Sequence, residues 1–90
     1  MMDEITVRFL GVSALGGGSK RYQVPVSGSM SVRGLLRLLS ETHGLAVSPE
    51  QLEEQHLILV QGRSIADLEH WDTVVRAGDR VSVVPLVGGG

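Results

Sequence analysis

The sequence predicts an α+β fold in which a mixed sheet of four or five strands packs on one main helix. Apolar and polar residues alternate near both ends of the chain, which indicates strands, and apolar residues at helical spacing between them indicate the helix. A length of 90 residues, 42% of them hydrophobic, is enough for one hydrophobic core and too little for two. We therefore expect one domain over residues 1–87 and a flexible glycine tail at residues 88–90.

The first two strands are predicted from a two-residue apolar period. In the first strand the alternate apolar positions are Ile5, Val7 and Phe9. The same period returns at residues 21–26, after a loop rich in Gly and Ser at residues 11–20. Because Pro25 has no N–H to donate, we expect the second strand to lie at an edge of the sheet or to have this position facing solvent.

One amphipathic helix is predicted from Ser31, a suitable N-cap, to Gly44, a suitable left-handed residue after the C-cap. Its apolar positions recur at helical spacing: Val32, Leu35, Leu36 and Leu39. The run Ser48, Pro49 and Glu50 resembles the start of a second helix of one or two turns, with a cap followed by a proline at the first helical position.

The C-terminal half is predicted to contain two more strands. The continuous apolar run at residues 57–60 favours a strand buried on both faces, followed by a turn at Gly62 and Arg63. Residues 64–72 are irregular, and the apolar side chains there can plug the edge of the core: Ile65, Leu68 and Trp71. A turn at residues 77–79 leads into the last strand, residues 81–86.

This order of elements predicts a particular topology. A crossover through the single helix places the first and last strands side by side in the sheet. That arrangement is the β-grasp, or ubiquitin-like, fold.

Composition excludes several classes of function. The net charge is −2, from 8 basic and 10 acidic residues scattered along the chain, so we expect neither nucleic acid nor membrane as a partner. The chain contains no cysteine, which excludes disulfides, thiolate metal sites, a Cys nucleophile and a ferredoxin-type cluster. The acidic N-terminus lacks the features of a secretion signal, and we expect a cytoplasmic protein that is monomeric when free.

Other local signals are weak. The three histidines, His43, His56 and His70, lack the short spacings of a metal site, so no metal is predicted. Residues 16–20 (Gly-Gly-Gly-Ser-Lys) lack the spacer and residue order of a phosphate-binding loop and are interpreted as a hairpin loop.

The chemistry is expected at the C-terminal glycines. Glycine has no side chain, so an extended segment from Leu86 to Gly90 could reach about 15 Å beyond the domain and pass through a narrow channel of another protein. The terminal carboxylate is an anion at neutral pH. It can attack the α-phosphate of ATP in a partner enzyme, and a sulfur donor can convert the resulting acyl-adenylate to a thiocarboxylate. The alternative is a frayed terminus without function.

A docking surface is predicted next to this tail. Strand alternation places Val84 and Leu86 on the face opposite Val81 and Val83, and we expect the former pair to face away from the helix and contact a partner. The alternative is that both belong to the core. Three arginines near turns either pair with acidic residues of a partner or are merely solvated: Arg63, Arg76 and Arg80.

The closing segment, residues 73–90, resembles the MoaD/ThiS family of ubiquitin-like sulfur carriers, including the small subunit of molybdopterin synthase. The family pattern has a D-T-x-L-like step, a G-D-x-V turn and a P-x-V-x-G-G end, and here Gly78-Asp79-Arg80-Val81 and the run from Pro85 to Gly90 follow in that order. Residues 60–63 (Val-Gln-Gly-Arg) similarly resemble its V-N-G-x turn, with Gln in place of Asn.

The resemblance implies a role for the tail. Gly90 is the residue that is adenylated and thiocarboxylated, and Gly89 is the small neighbour required for threading. Gly88 stands at a position that varies in the family. The residues assigned to partner binding are Val84, Leu86, Val87, Gly88 and Arg63.

The resemblance also implies the partners. An ATP-dependent adenylyltransferase similar to MoeB or ThiF would use ATP to activate the tail, and a synthase subunit would accept the sulfur, with molybdopterin synthesis favoured over thiamine or another metabolite. The chain would bind no cofactor and would be a substrate and subunit rather than an enzyme. Two alternatives stay open: a modifier conjugated to lysines through Gly90, and a passive β-grasp interaction domain.

Overall fold

A computed structural model of the chain describes residues 3–11, 18–44, 52 and 54–86. The strands are β1 (Glu4–Leu10), β2 (Ser19–Pro25), β3 (Ser29–Ser31), β4 (His56–Val60), β5 (Arg63–Ser64), β6 (Val74–Arg76) and β7 (Arg80–Pro85), and the helix is α1 (Val32–His43). Two 3₁₀ turns, Ile65–Asp67 and His70–Asp72, connect β5 to β6. The start of the short helix predicted from Ser48 and the glycine tail lie outside the described residues, and Leu52, Glu54 and Gln55, which follow that start, are helical.

The main sheet has five strands in the order β2-β1-β7-β4-β5, and β3 pairs with β6 in a separate two-stranded sheet. Strands β1 and β7 are parallel neighbours, while β2, β4 and β5 pair antiparallel with their neighbours. The predicted β-grasp topology is therefore confirmed, as are the edge position of the strand containing Pro25 and the pairing of the first and last long strands. Since α1 has 12 residues, the described ranges contain no helix of the length and hydrophobicity that crossing a bilayer requires.

Helix α1 begins and ends where its capping residues predict. The Ser31 hydroxyl accepts a hydrogen bond of 3.0 Å from the Gly34 N–H, and Gly44 takes the left-handed conformation with φ 63°. The four predicted apolar positions of the helix are buried against the sheet residues Ile5, Val7, Phe9, Val81 and Val83. Burial of each such side chain contributes about 2 kcal/mol, so this contact is a large stabilising term of the fold.

Two details of the C-terminal half correct the sequence prediction. Strand β4 is buried on one face only, because Ile58 and Val60 enter the core while Leu57 is 39% exposed. The turn after β4 falls one residue earlier than predicted, at Gln61 and Gly62, with φ of 52° and 81°. Two successive positive φ values are typical of a tight two-residue hairpin, which lets Arg63 pair with Val60 in β5.

The irregular segment after β5 closes the side of the core, as predicted. Ile65 and Trp71 are buried and Leu68 is partly buried against them. A salt bridge of 2.8 Å between Arg33 Nη1 and Asp72 Oδ1 ties the end of this segment to α1.

Candidate functional site

The C-terminal segment starts from the centre of the main sheet. Strand β7 is hydrogen-bonded to β1 on one side and to β4 on the other, and the pairing with β4 continues beyond the strand, where Leu86 N–H donates to the Gln55 carbonyl at 2.9 Å. The chain is therefore held on a rigid base up to residue 86. The predicted site residues Val87, Gly88, Gly89 and Gly90 lie outside the described residues.

The two faces of β7 have different environments. Val81 and Val83 are fully buried beneath α1, and Ser82 and Val84 on the opposite face are half-buried. Leu86 is 45% exposed. The predicted alternation is thus confirmed, and Leu86 is not a core residue.

An apolar patch lies on the exposed face of the sheet next to the start of the tail. Leu57 stands directly across from Val84, and Leu59 stands across from Ser82. We define the apolar patch as Leu57, Leu59, Val84 and Leu86. Leu57 and Leu86 are among the most exposed large apolar side chains of the described residues, and both lie toward the end of the sheet at which β7 finishes.

The end of the β1–β2 hairpin lies beside the same point. Gly11 follows β1 with φ of 65°, and its N–H donates to the Gly18 carbonyl at 2.7 Å to close the hairpin. A Cβ at Gly11 would lie 3.5 Å from the Pro85 Cγ. The chain thus approaches Pro85 closely at a residue whose backbone conformation favours glycine.

The three arginines singled out in the sequence lie in different places. Arg63 pairs with Val60, which is level with Val81, so Arg63 is at the other end of the ladder from Leu86. Arg76 belongs to β6 in the small sheet, across from Ser29. Arg80 begins β7 and lies level with Thr6 of β1. The structure does not bring Arg63 together with Val84 and Leu86.

The histidines are also separate from one another. His43 packs on Tyr22 with ring centroids 4.7 Å apart, and the His56 Nδ1 lies 3.3 Å from the Leu52 carbonyl oxygen. Over residues 3–11, 18–44, 52 and 54–86, no three His, Asp or Glu side chains are grouped so that they could hold a metal ion.

Sequence reasoning missed Leu57, because it placed this residue in a strand buried on both faces. The signal that could have identified it is the pairing of β4 with β7: once Val84 is assigned to the outer face, the residue opposite it shares that face.

Solved structures with the same fold support this description. The Haloferax volcanii HVO 2177 protein matches with a TM-score of 0.62 and 30% identity, over 97% of this chain and 86% of that one. Urm1 from Trypanosoma brucei matches with a TM-score of 0.69 and 24% identity, over 99% and 97% of the two chains. The small archaeal modifier protein 1 from Methanosarcina acetivorans matches with a TM-score of 0.61 and 19% identity, over 100% and 99%. A search of curated proteins gave no significant match.

The family match covers most of the chain and includes the glycine end. Residues 13–90 match the model of the ThiS family. This range takes in strand β7, the apolar patch and the three terminal glycines of the sequence. The chain, a ubiquitin-like protein of the carrier and modifier type, therefore belongs to the ThiS family.

Proposed function

We propose that this protein is a sulfur carrier whose Gly90 carboxylate is adenylated by a partner enzyme and then converted to a thiocarboxylate. The observation that carries the proposal is that the Gly-Gly pair comes a few residues after the central strand of a β-grasp sheet, within the ThiS family match. A central strand is held on both sides, so it offers a fixed base from which a segment without side chains can enter a partner's active site.

The proposed reaction has two steps. A carboxylate oxygen of Gly90 attacks the α-phosphorus of ATP, and pyrophosphate leaves, which gives an acyl-adenylate. A sulfide sulfur then attacks the acyl carbon. The bond between this carbon and the phosphate oxygen of AMP breaks, and AMP leaves with the electron pair of that bond. The product is a thiocarboxylate in which one sulfur replaces one oxygen. The activating enzyme, similar to MoeB or ThiF, supplies the catalytic groups, and the carrier supplies the reacting carboxylate.

The apolar patch is proposed as the docking surface for that enzyme. Exposed leucines next to the reactive end give the partner a fixed contact through which to position it, and apolar surface buried on association contributes about 25 cal/mol per Å² before the costs of binding. Val87 and Gly88 would then line the entry to the active site, and Gly89 would pass its narrowest part.

A synthase subunit that accepts the sulfur is the second proposed partner. The run Pro85-Leu86-Val87 before the glycines favours molybdopterin synthesis over thiamine synthesis as the destination. The Gln at position 61 departs from the family pattern, so the acceptor should be tested with both kinds of synthase.

Mass spectrometry of the intact protein tests the carrier function. The protein is incubated with the adenylyltransferase from the same genome, ATP and sulfide, and we expect the mass to rise by the difference between sulfur and oxygen. Omission of ATP is the control and should leave the mass unchanged. The untreated mass also checks that Gly90 is the last residue of the mature protein. An unchanged mass in the complete reaction would contradict the proposal.

Substitution Leu86→Glu tests the docking role of the apolar patch. A charge at this position opposes burial in an interface, so we expect the KM of the activating enzyme for the carrier to rise about tenfold or more, with kcat little changed. Val74→Glu is the matched control, because Val74 is 51% exposed but lies on β6 in the small sheet. An equal rise of KM for the two variants would show that the apolar patch is not the docking surface.

A protein modifier is the second candidate function, favoured by the fold similarity to the small archaeal modifier protein 1. In that case a lysine amine, rather than sulfide, attacks the acyl-adenylate and forms an isopeptide bond. Arg80 is the last basic residue of the sequence, so trypsin would leave residues 81–90 attached to a target lysine. Peptides that carry this remnant in cells would establish conjugation, and their absence alongside a thiocarboxylate would favour the carrier.

A further inference from the structure

The exposed face of the main sheet has two chemically different halves. The half beside the tail is the apolar patch. The other half carries three exposed arginines, Arg8 on β1, Arg21 on β2 and Arg80 at the start of β7. We call these three residues the arginine patch. Ser82 of β7 lies where the two halves meet. Its neighbour on β1 is Arg8, and its neighbour on β4 is Leu59.

None of the three arginines is neutralised within the part of the chain that the structure describes. The salt bridge found there joins Arg33 to Asp72, on the helix side of the molecule. Glu4 shares the outer face of β1 by alternation, yet it makes no ion pair with Arg8, Arg21 or Arg80 in the described residues. Two uncharged polar residues on the same face, Thr6 and Gln23, are hydrogen-bonded to each other: the Thr6 hydroxyl donates to Gln23 Oε1 at 2.9 Å.

The arrangement of two of these charges opposes folding. Arg8 and Arg21 stand directly across from each other in the antiparallel β1–β2 pair. Like charges at directly opposed positions destabilise a sheet. These side chains therefore contribute nothing to stability through their charge, and an anion from outside the molecule would relieve their repulsion.

A concavity lies between two of the arginines. It has a volume of about 540 Å³ and is lined by Arg8, Gln61, Gly62, Gly78, Arg80 and Ser82. Two of the lining residues are glycines in turns, so no side chain fills the space above them. The backbone of Arg80 is fixed on both sides of the residue, since its N–H donates to Gln61 Oε1 at 2.7 Å and its carbonyl accepts from Gln61 N–H at 2.8 Å.

We infer that the arginine patch binds an acidic segment of the activating enzyme, with Arg8 and Arg80 gripping carboxylates in this concavity. Guanidinium groups bind carboxylates with two parallel hydrogen bonds, which fixes orientation as well as adding attraction. The patch is continuous with the apolar patch, so the partner surface that fits the whole face has carboxylates next to apolar side chains. This inference rests on the proposed carrier function for the identity of the partner.

A protein segment suits this face better than a nucleic acid does. Three charges on a molecule of net charge −2 are few for backbone binding, and this face carries no aromatic side chain among the described residues on which a base could stack. The adjoining leucines and valine match an apolar protein contact.

Steady-state kinetics with the activating enzyme tests the inference. For the double variant Arg8→Glu and Arg80→Glu we expect the KM for the carrier to rise about tenfold or more at low salt, with kcat little changed, because charges at the rim of an interface act mainly on association. The KM of the wild type should rise with added NaCl, and that of the variant should not. The matched control is Arg37→Glu, an exposed arginine on α1. Circular dichroism and thermal unfolding establish that each variant folds.

The outcomes separate the two proposals. If the wild type is activated and the double variant has the same KM as Arg37→Glu, the inference is wrong and the carrier function stands. If the wild type is not activated, the carrier function fails, and a direct titration decides the inference alone. In that titration a Glu-rich peptide containing leucine is added to ¹⁵N-labelled protein, with a single-stranded oligonucleotide of equal charge as comparison.

We expect the peptide to shift the amide signals of Arg8, Arg80 and Ser82 and to leave that of Arg37 in place. Signals that move equally at all arginines, or that respond more strongly to the oligonucleotide than to the peptide, would overturn the inference.

Discussion

Removal of Gly89 and Gly90 is expected to abolish adenylation by the activating enzyme while the domain remains folded. The deletion takes away the proposed reacting carboxylate position and shortens the segment that must reach the partner's active site. The contacts described here for the sheet and core are made by residues up to Leu86, all of which the deletion leaves in place. ATP–pyrophosphate exchange measures the activation, and thermal unfolding measures the fold.

Two substitutions in the same segment separate the effect of side-chain size from that of length. Gly89→Val keeps the length and the terminal carboxylate but adds a branched side chain, and we expect activity close to background because the proposed threading requires glycine. Gly88→Ser changes the position that varies in the family, and we expect it to retain most of the activity. If the deleted protein kept its cellular function, the passive interaction domain would become the better description of this chain.

Leu35→Ala is expected to cause a large loss of stability. Leu35 is completely buried between α1 and the sheet, and removal of such a side chain leaves a cavity that costs about 3 kcal/mol, within a general range of 2 to 5. The free energy of unfolding, measured by urea denaturation, should fall by this amount, which moves the midpoint by about 2 M for a small domain.

Leu57→Ala is the matched control for this loss, since the same atoms are removed from a side chain that is 39% exposed. We expect it to lower the free energy of unfolding by less than about 1 kcal/mol. The same variant should weaken binding of the activating enzyme, because Leu57 belongs to the apolar patch. Similar stability losses for both variants would mean that the exposed face is packed against something that the structure does not contain.

The long elements of this fold could be predicted from the sequence because their patterns are local. The alternation at Ile5, Val7 and Phe9 and the helical spacing from Val32 to Leu39 each extend over several periods, and Ser31 and Gly44 mark the helix ends. Strands β3 and β6 cannot be predicted in this way, because three residues are too few for a period to be recognised. The apolar run of β4 led to the wrong prediction of burial on both faces for another reason. The composition of a strand does not show whether each of its faces is covered by another layer of the fold.

The candidate site could be predicted only in part for a related reason. Val84 and Leu86 follow from alternation along one strand, and so their face was assigned correctly. Arg8, Arg21 and Arg80 are far apart in sequence, and only the register of β1 with β2 and β7 brings them to one face. The hydrogen bond from the Arg80 N–H to Gln61 Oε1 likewise cannot be predicted until the turn that contains Gln61 is placed next to the start of β7.

The central position of β7 has a consequence for biosynthesis. The hairpin of β1 and β2 and the hairpin of β4 and β5 have no contact in the sheet except through β7, which comes after both in the chain. A polypeptide terminated before Arg80 lacks the strand that joins these two hairpins in the sheet, and two-stranded hairpins alone are at best marginally stable in water. We therefore expect polypeptides that end before β7 to be largely unfolded, so that only chains containing this strand present the apolar patch.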